Sequence, residues 1–164
     1  MTETVLWWLR RDLRLEDNPA LRLALNGERR VVPVFILDPY LLARPAEKRQ
    51  AFLFAGLRAL DADLRARGSR LVVRQGLPLQ VLSQLTAESG AGAVYAEEDV
   101  SPYARRRDAQ VAAALTLRSV TGATVFPAAQ VRKADDSPYT VFTPYSKAWK
   151  ALPFPGAPQP APAR

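Results

Sequence analysis

The sequence predicts an α/β fold in which a doubly wound, five-stranded parallel sheet carries helices on both faces. Short runs of β-branched and aliphatic residues alternate with longer segments of helical periodicity along most of the chain. The 164 residues are 48% hydrophobic and 24% charged, which is typical of a globular protein. A chain of this length is expected to form one domain.

The first half of the chain alternates strand and helix. Val5–Leu9 is a short apolar run that predicts the first strand, and Asp17-Asn18-Pro19 is suited to cap the helix that follows. Val31–Leu37 is rich in β-branched residues and predicts a buried second strand. From Lys48 to Arg67 leucines recur at helical spacing, and Gly68 is a C-terminal stop signal for this helix.

The second half continues the alternation. Arg70–Arg74 and Ala93–Ala96 predict the third and fourth strands, with a helix between them over Pro78–Glu88. Tyr103–Leu117 has no internal proline or glycine and predicts another helix, which leaves Thr124–Phe126 as the fifth strand. Ligands of such folds bind beyond the carboxyl ends of the strands, so the loops there are the place to look for a site.

The composition changes after Trp149. Residues 150–164 combine proline with alanine, glycine and glutamine and keep no hydrophobic period, which predicts a semi-extended linker. We therefore expect a domain over residues 1–149 and a Pro/Ala-rich interdomain linker over 150–164. Such a linker favours a fragment of a longer protein, with a disordered natural tail as the alternative.

Missing residues and motifs exclude several functional classes. The chain contains no histidine and no cysteine, which argues against a Ser-His-Asp hydrolase, a thiolate nucleophile and a zinc site, and we expect no metal. It has neither a G-x-G-x-x-G fingerprint after the first strand nor a P-loop, which disfavours NAD binding and NTPase activity.

Its N-terminus matches no signal peptide or membrane span, so we expect a cytoplasmic protein. The net charge of +7 favours encounters with phosphate-rich partners without establishing DNA binding.

Charged residues follow the predicted strands on one side of the sheet. Arg10-Arg11-Asp12 follows the first strand, Phe35-Ile36-Leu37-Asp38 closes the second, and Glu97-Glu98-Asp99 closes the fourth. An apolar wall beside carboxylates suits a flat aromatic ligand, and arginines there can bind an anionic group or form structural ion pairs. We assign these carboxylates no catalytic role.

The same residues resemble a known family. Residues 8–21 read W-L-R-R-D-L-R-L-E-D-N-P-A-L, which is similar to the pattern W-F-R-R-D-L-R-x-x-D-N-P-A-L of the photolyase and cryptochrome family. Nearly everything from Val5 to Trp149 follows the order and spacing of that family. The other matching blocks are Val32–Pro39, Arg49 ahead of Phe52-Leu53, Gly68–Gly76, Pro102–Asp108 and Tyr139–Tyr145.

The resemblance implies the Rossmann-like N-terminal antenna domain of a two-domain flavoprotein. In that family a helical C-terminal domain, expected outside this chain, binds FAD and damaged DNA, and light-excited reduced FAD splits pyrimidine dimers. We therefore expect a light-harvesting module that is catalytically inactive alone, monomeric, free of membrane contacts and partnered with its own helical domain. The alternatives are the same domain of a cryptochrome-type photoreceptor and a free-standing flavin- or nucleotide-binding module.

The resemblance also implies a chromophore pocket. Folate-type members carry a glutamate in the segment Tyr103-Ala104-Arg105, and Ala104 supplies no carboxylate there. FMN or a deazaflavin is therefore favoured over folate, with an empty site as the alternative. Glu97 stands where many relatives have asparagine. The resemblance assigns eight residues to the pocket: Arg10, Arg11, Phe35, Ile36, Leu37, Asp38, Arg49 and Asp99.

Overall fold

A computed structural model describes residues 2–43, 46–122, 124–127 and 129–163. Within these ranges strands and helices alternate along the chain. The strands are β1 (Thr4–Leu9), β2 (Arg30–Leu37), β3 (Val72–Gln75), β4 (Ala93–Glu97) and β5 (Leu117–Val120). The helices are α1 (Pro19–Leu25), α2 (Pro39–Leu42), α3 (Glu47–Arg65), α4 (Pro78–Ser89), α5 (Pro102–Ala114) and α6 (Phe142–Lys150).

The strands form one parallel sheet in the order β3-β2-β1-β4-β5. The chain first builds outward from β1 through β2 to β3, then returns to place β4 on the other side of β1. The strand order therefore reverses at β1, and connections on its two sides diverge there and leave a crevice at the carboxyl edge. This topology confirms the predicted doubly wound fold.

Side chains of β1 alternate between two hydrophobic cores. Val5 and Trp7 pack into a cluster with α1 and α3, whereas Leu6 and Trp8 pack into a cluster with α4 and α5. This division follows from the two-residue period of a strand, in which successive side chains point to opposite faces. The result is three layers, with helices covering both faces of the sheet.

Asn18 ties the loop after β1 to the start of α1. Its Oδ1 accepts a hydrogen bond of 2.8 Å from the backbone N–H of Leu21, and its Nδ2 donates to Asp12 Oδ2 at 3.0 Å and to the Arg14 carbonyl at 3.2 Å. The side chain is buried. The cap predicted from Asp17-Asn18-Pro19 is thus confirmed, with Asn18 as the capping residue.

The structure corrects the fifth strand. Thr124–Phe126 forms a bend, and β5 lies instead over Leu117–Val120, the stretch into which the predicted helix extended. The helix α5 ends at Ala114, and Leu115 is already extended. Alanine and leucine favour helix locally, but backbone pairing with β4, which includes a 2.8 Å bond from Glu98 N to Val120 O, overrides that preference.

Residues 151–163 contain no helix or strand, and residues 159–161 contact α1 and the loop before it. The backbone N–H of Asp17 donates to the Gln159 carbonyl at 2.8 Å, and Arg22 Nη2 donates to the Pro160 carbonyl at 2.7 Å. Ala161 packs against the core cluster of α1 and α3. Among the described residues, none of the helices has the length and hydropathy needed to cross a bilayer.

Replacing Asn18 with alanine should lower the free energy of unfolding by about 2–4 kcal/mol. The substitution removes an N-cap, which contributes about 1 kcal/mol, and deprives the Asp12 carboxylate and the Arg14 carbonyl of a buried donor, at about 1–2 kcal/mol more. Denaturant unfolding followed by circular dichroism measures the change. Asn26→Ala, at an exposed position at the end of the same helix, should change it by less than about 0.5 kcal/mol. Equal effects of the two substitutions would contradict the role given to Asn18.

Candidate functional site

A cavity of about 370 Å³ opens at the carboxyl edge of the sheet. Its walls come from the ends of β1 and β2, the loop after β4, and the first turns of α2, α4 and α5. This volume lies within the usual range for small-molecule sites. The cavity thus occupies the place where doubly wound folds bind their ligands.

The structure brings six of the eight predicted pocket residues together at this cavity. Leu37 and Arg49 are not among the described residues that line it. Leu37 packs instead against the core cluster of α1 and α3, to which Phe35 on the same face of β2 also belongs. Arg49 is exposed in the first turn of α3. The six residues at the cavity are Arg10, Arg11, Phe35, Ile36, Asp38 and Asp99.

Two stacked tyrosines form one wall of the cavity. The rings of Tyr40 and Tyr103 lie 4.7 Å apart with an interplanar angle of 12°. The Tyr103 hydroxyl donates a hydrogen bond to Asp38, whose other carboxylate oxygen caps α2 by accepting from the Tyr40 N–H at 2.9 Å. Burial and the neighbouring Asp38 raise the pKa of Tyr103 to about 12, so its phenol stays protonated and serves as a donor at neutral pH.

Two arginines pack on the indole ring of Trp8, which also lines the cavity. The guanidinium carbons of Arg10 and Arg107 each lie 4.8 Å from the centre of that ring. Both arginines bind Asp108, through Arg10 Nη1 at 2.5 Å and Arg107 Nε at 2.9 Å. These contacts fix a cationic face on the β1 side of the cavity.

Arg107 and Tyr103 were not predicted as site residues. The run from Arg105 to Arg107 has the composition of a solvated helix face, and two of its three arginines are indeed exposed. The signal that identifies the third is its spacing, because Arg107 lies four residues after Tyr103 and therefore on the same face of α5. The helical period therefore predicts that Tyr103 and Arg107 share one face of α5, and because α5 follows β4, this face lies near the carboxyl edge of the sheet.

Arg11 and Asp99 form the rim of the cavity. Arg11 Nη1 lies 3.6 Å from Asp99 Oδ1, and the Arg11 side chain is 69% exposed. Burial acts to raise the pKa of Asp99, but the hydrogen bonds from Ser101, together with the positive charges of Arg11 and Arg10, outweigh it and lower the pKa. Asp99 is therefore a carboxylate at neutral pH and an acceptor for a ligand donor.

Glu97 ends β4 but is not among the described residues that line the cavity. Its side chain is buried, and the Nη2 atom of Arg14 lies 3.9 Å from Oε1. Burial and the nearby Asp12 raise the pKa of Glu97 to about 8, so the carboxyl is mostly protonated at neutral pH. Gly122 packs so closely that a side chain there would collide with the Glu97 carboxyl.

Comparison with known proteins decides the family. The family model described as DNA photolyase matches residues 5–163. The chain belongs to the DNA photolyase family. This photolyase-family chain is 37% identical over 162 residues to the deoxyribodipyrimidine photo-lyase of a Synechococcus strain, covering 94% of the chain and 34% of that protein.

Two solved photolyases share the fold. The class III photolyase from Agrobacterium tumefaciens matches with a TM-score of 0.88 and 30% identity, over 99% of this chain and 35% of its own. The archaeal photolyase from Sulfolobus tokodaii, whose structure holds two FAD molecules, matches with a TM-score of 0.83 and 29% identity, over 96% of this chain and 36% of its own. The chain therefore spans about a third of the length of these relatives and corresponds to the Rossmann-like α/β domain of a family that binds chromophore cofactors.

Titration of Glu97 should make the stability of this photolyase-family domain depend on pH. Its pKa is about 8 in the folded protein against an ordinary value of 4.5, so the folded state binds an extra proton between these values. The stabilisation is complete below about pH 4.5 and is lost as the pH rises towards 8. Glu97→Gln removes this titration, so the wild-type protein should lose roughly 2–4 kcal/mol more than the variant between about pH 5 and pH 8.

Denaturant unfolding at several pH values measures this difference. Glu98→Gln, at the neighbouring exposed position, is the matched control and should keep the wild-type pH profile. Parallel profiles for the wild-type protein and Glu97→Gln would show that Glu97 is charged in the folded state throughout this range.

Proposed function

We propose that this chain is the light-harvesting antenna domain of a deoxyribodipyrimidine photolyase. The cavity at the carboxyl edge would hold the antenna chromophore, which passes its excitation energy to FAD in a helical domain of the whole protein. The observation that carries this proposal is the position and lining of the cavity, with Trp8, Tyr40 and Tyr103 as aromatic walls, in a chain of the photolyase family.

The chromophore proposed for the cavity is a flavin-like ring, FMN or a deazaflavin. Apolar and aromatic walls suit a flat ring system, and Asp38 and Asp99 supply acceptors for ring N–H or hydroxyl groups. The archaeal photolyase with two FAD molecules supports a flavin in this role. Ala104 is buried on α5 and offers no carboxylate for a folate, which disfavours the folate alternative.

Further domains and DNA contacts of the whole protein are part of the same proposal. Residues 1–149 would form the antenna domain, and residues 150–164 would connect it to a helical domain that holds FAD and the pyrimidine dimer. Support comes from the photolyases compared above, which are about three times as long as the chain, and from residues 151–163, which form neither helix nor strand. Damaged DNA would then be a partner of the whole protein rather than of the cavity.

A fluorescence titration of the chain with FMN, a deazaflavin and a reduced folate tests the chromophore. We expect saturable binding of a flavin-like compound and at least about tenfold weaker binding of the folate. Tyr103→Ala removes an aromatic wall of the cavity and should weaken flavin binding by about 2-fold to 10-fold, since an aromatic stacking contact contributes about 0.5–1.5 kcal/mol. Tyr139→Ala, whose ring packs on Tyr145 outside the cavity, is the control. Tight folate binding without flavin binding would overturn the choice of chromophore.

Light-driven repair separates the antenna domain from the catalytic part of a photolyase. The FAD-free chain, mixed with DNA that contains cyclobutane pyrimidine dimers, should restore no intact pyrimidines under blue light, because no electron donor is bound near the lesion. Recovery of pyrimidine absorbance is the measurement. Repair by a preparation shown to be free of FAD would contradict the assignment of this chain to light harvesting alone.

A further inference from the structure

Two buried guanidinium groups share a single carboxylate beside the cavity. Arg10 Nη1 and Arg107 Nε both donate to Asp108, which supplies one negative charge against two positive charges. The side chains of Arg10 and Arg107 are only 7% and 9% exposed, so water compensates little of the second charge. Buried charges are costly unless they are paired and hydrogen-bonded. Asp99 also attracts Arg10 but is already paired with Arg11, so Arg10, Arg11 and Arg107 together face two carboxylates and one cation stays in excess.

The donor atoms of the cluster show the same imbalance. Nη2 of Arg10 and Nη2 of Arg107 are buried without a hydrogen-bond partner among the described residues. The indole ring of Trp8 faces both guanidinium groups and stabilises them, but it is not an anion. Burial also lowers the pKa of Arg10, although Asp108 acts in the opposite direction. Each of these observations indicates that an acceptor is missing from this part of the cavity wall.

The other two carboxylates of the wall are already engaged. Asp38 accepts from the Tyr103 hydroxyl and caps α2, while Asp99 accepts from the Ser101 N–H at 3.0 Å and pairs with Arg11. The cavity is therefore polarised, with its cationic side at the end of β1 and the second turn of α5 and an acidic side at the end of β2. A ligand that fits both sides carries an anionic group at one end and hydrogen-bond donors at the other.

We propose that Arg10 and Arg107 form an anion subsite of the cavity and that Arg107 selects chromophores carrying a phosphate. Only the identity of the chromophore rests on the proposed antenna function. The excess cation and the unpartnered donors belong to this chain whatever ring the cavity holds. A phosphate monoester supplies both a negative charge and acceptor oxygens for the unpartnered Nη2 atoms of the two guanidinium groups.

FMN and riboflavin test the subsite, because they share one ring system and differ by the phosphate. We expect wild-type chain to bind FMN between about 10-fold and 100-fold more tightly than riboflavin, the range of one charge-assisted hydrogen bond. Arg107→Gln should remove most of that preference, so that the ratio of FMN to riboflavin affinity falls towards one. Arg105→Gln, an exposed arginine on the same helix, is the matched control and should keep the preference.

Inorganic phosphate gives a second measurement that needs no flavin. Phosphate, compared with chloride at equal ionic strength, should raise the Tm of the wild-type chain and of Arg105→Gln, and should not raise the Tm of Arg107→Gln. We expect Arg107→Gln to fold, because the remaining Arg10–Asp108 pair is balanced in charge. If it does not fold, Arg107→Lys keeps the charge without the planar fork and should show an intermediate preference for FMN.

The outcomes separate this subsite from the antenna function. Equal affinity of the wild-type chain for FMN and riboflavin, or equal weakening of both by Arg107→Gln, would overturn the subsite while flavin binding stands. Stabilisation of the wild-type chain by phosphate without any flavin binding would support the subsite and overturn the proposed chromophore. An absence of response to both phosphate and flavins would overturn both.

Discussion

Every layer of this domain depends on β1, which is paired along both edges and buried on both faces. Its partners β2 and β4 run parallel to it, and its side chains reach both hydrophobic cores. Burying Trp7 on one face and Trp8 on the other requires helices on both sides of the sheet. The chain adds β2 and β3 on one side of β1 and then β4 and β5 on the other side. The crevice at the carboxyl edge of the sheet therefore lies beside β1. The cavity is a consequence of this central strand.

The cavity combines an apolar interior with charges that the fold places by helix geometry. Arg10 reaches it from the end of β1, while Arg107 reaches it from the second turn of α5, and Asp108 holds both guanidinium groups in place. Aspartates at the ends of β2 and β4 face the same space from other directions. A small ligand therefore meets groups from three separate strand ends, which gives the site directional specificity that a single loop would not provide.

The fold was predictable from the sequence because its signals are local and repeated. Apolar runs, helical periods and the cap before Pro19 each identify an element without knowledge of its partners. The fifth strand was mispredicted because Leu117–Val120 depends on pairing with β4, a contact that local preferences do not encode. The ligand-binding role of the pocket residues stays a prediction. Of these residues, Leu37 packs against the core cluster that also holds Phe35, and Arg49 is exposed; both positions depend on how the helices pack on the sheet, which local sequence patterns do not encode.

The two guanidinium groups beside Trp8 also affect the electronic behaviour of the cavity wall. Indole rings commonly donate electrons to excited aromatic ligands, which dissipates the excitation energy. Removing an electron from Trp8 would create a positive charge 4.8 Å from each of two fixed cations, and in a buried setting this repulsion is poorly screened. The contacts that hold the ring therefore oppose the removal of an electron from Trp8, to the extent that Asp108 does not neutralise the two guanidinium charges.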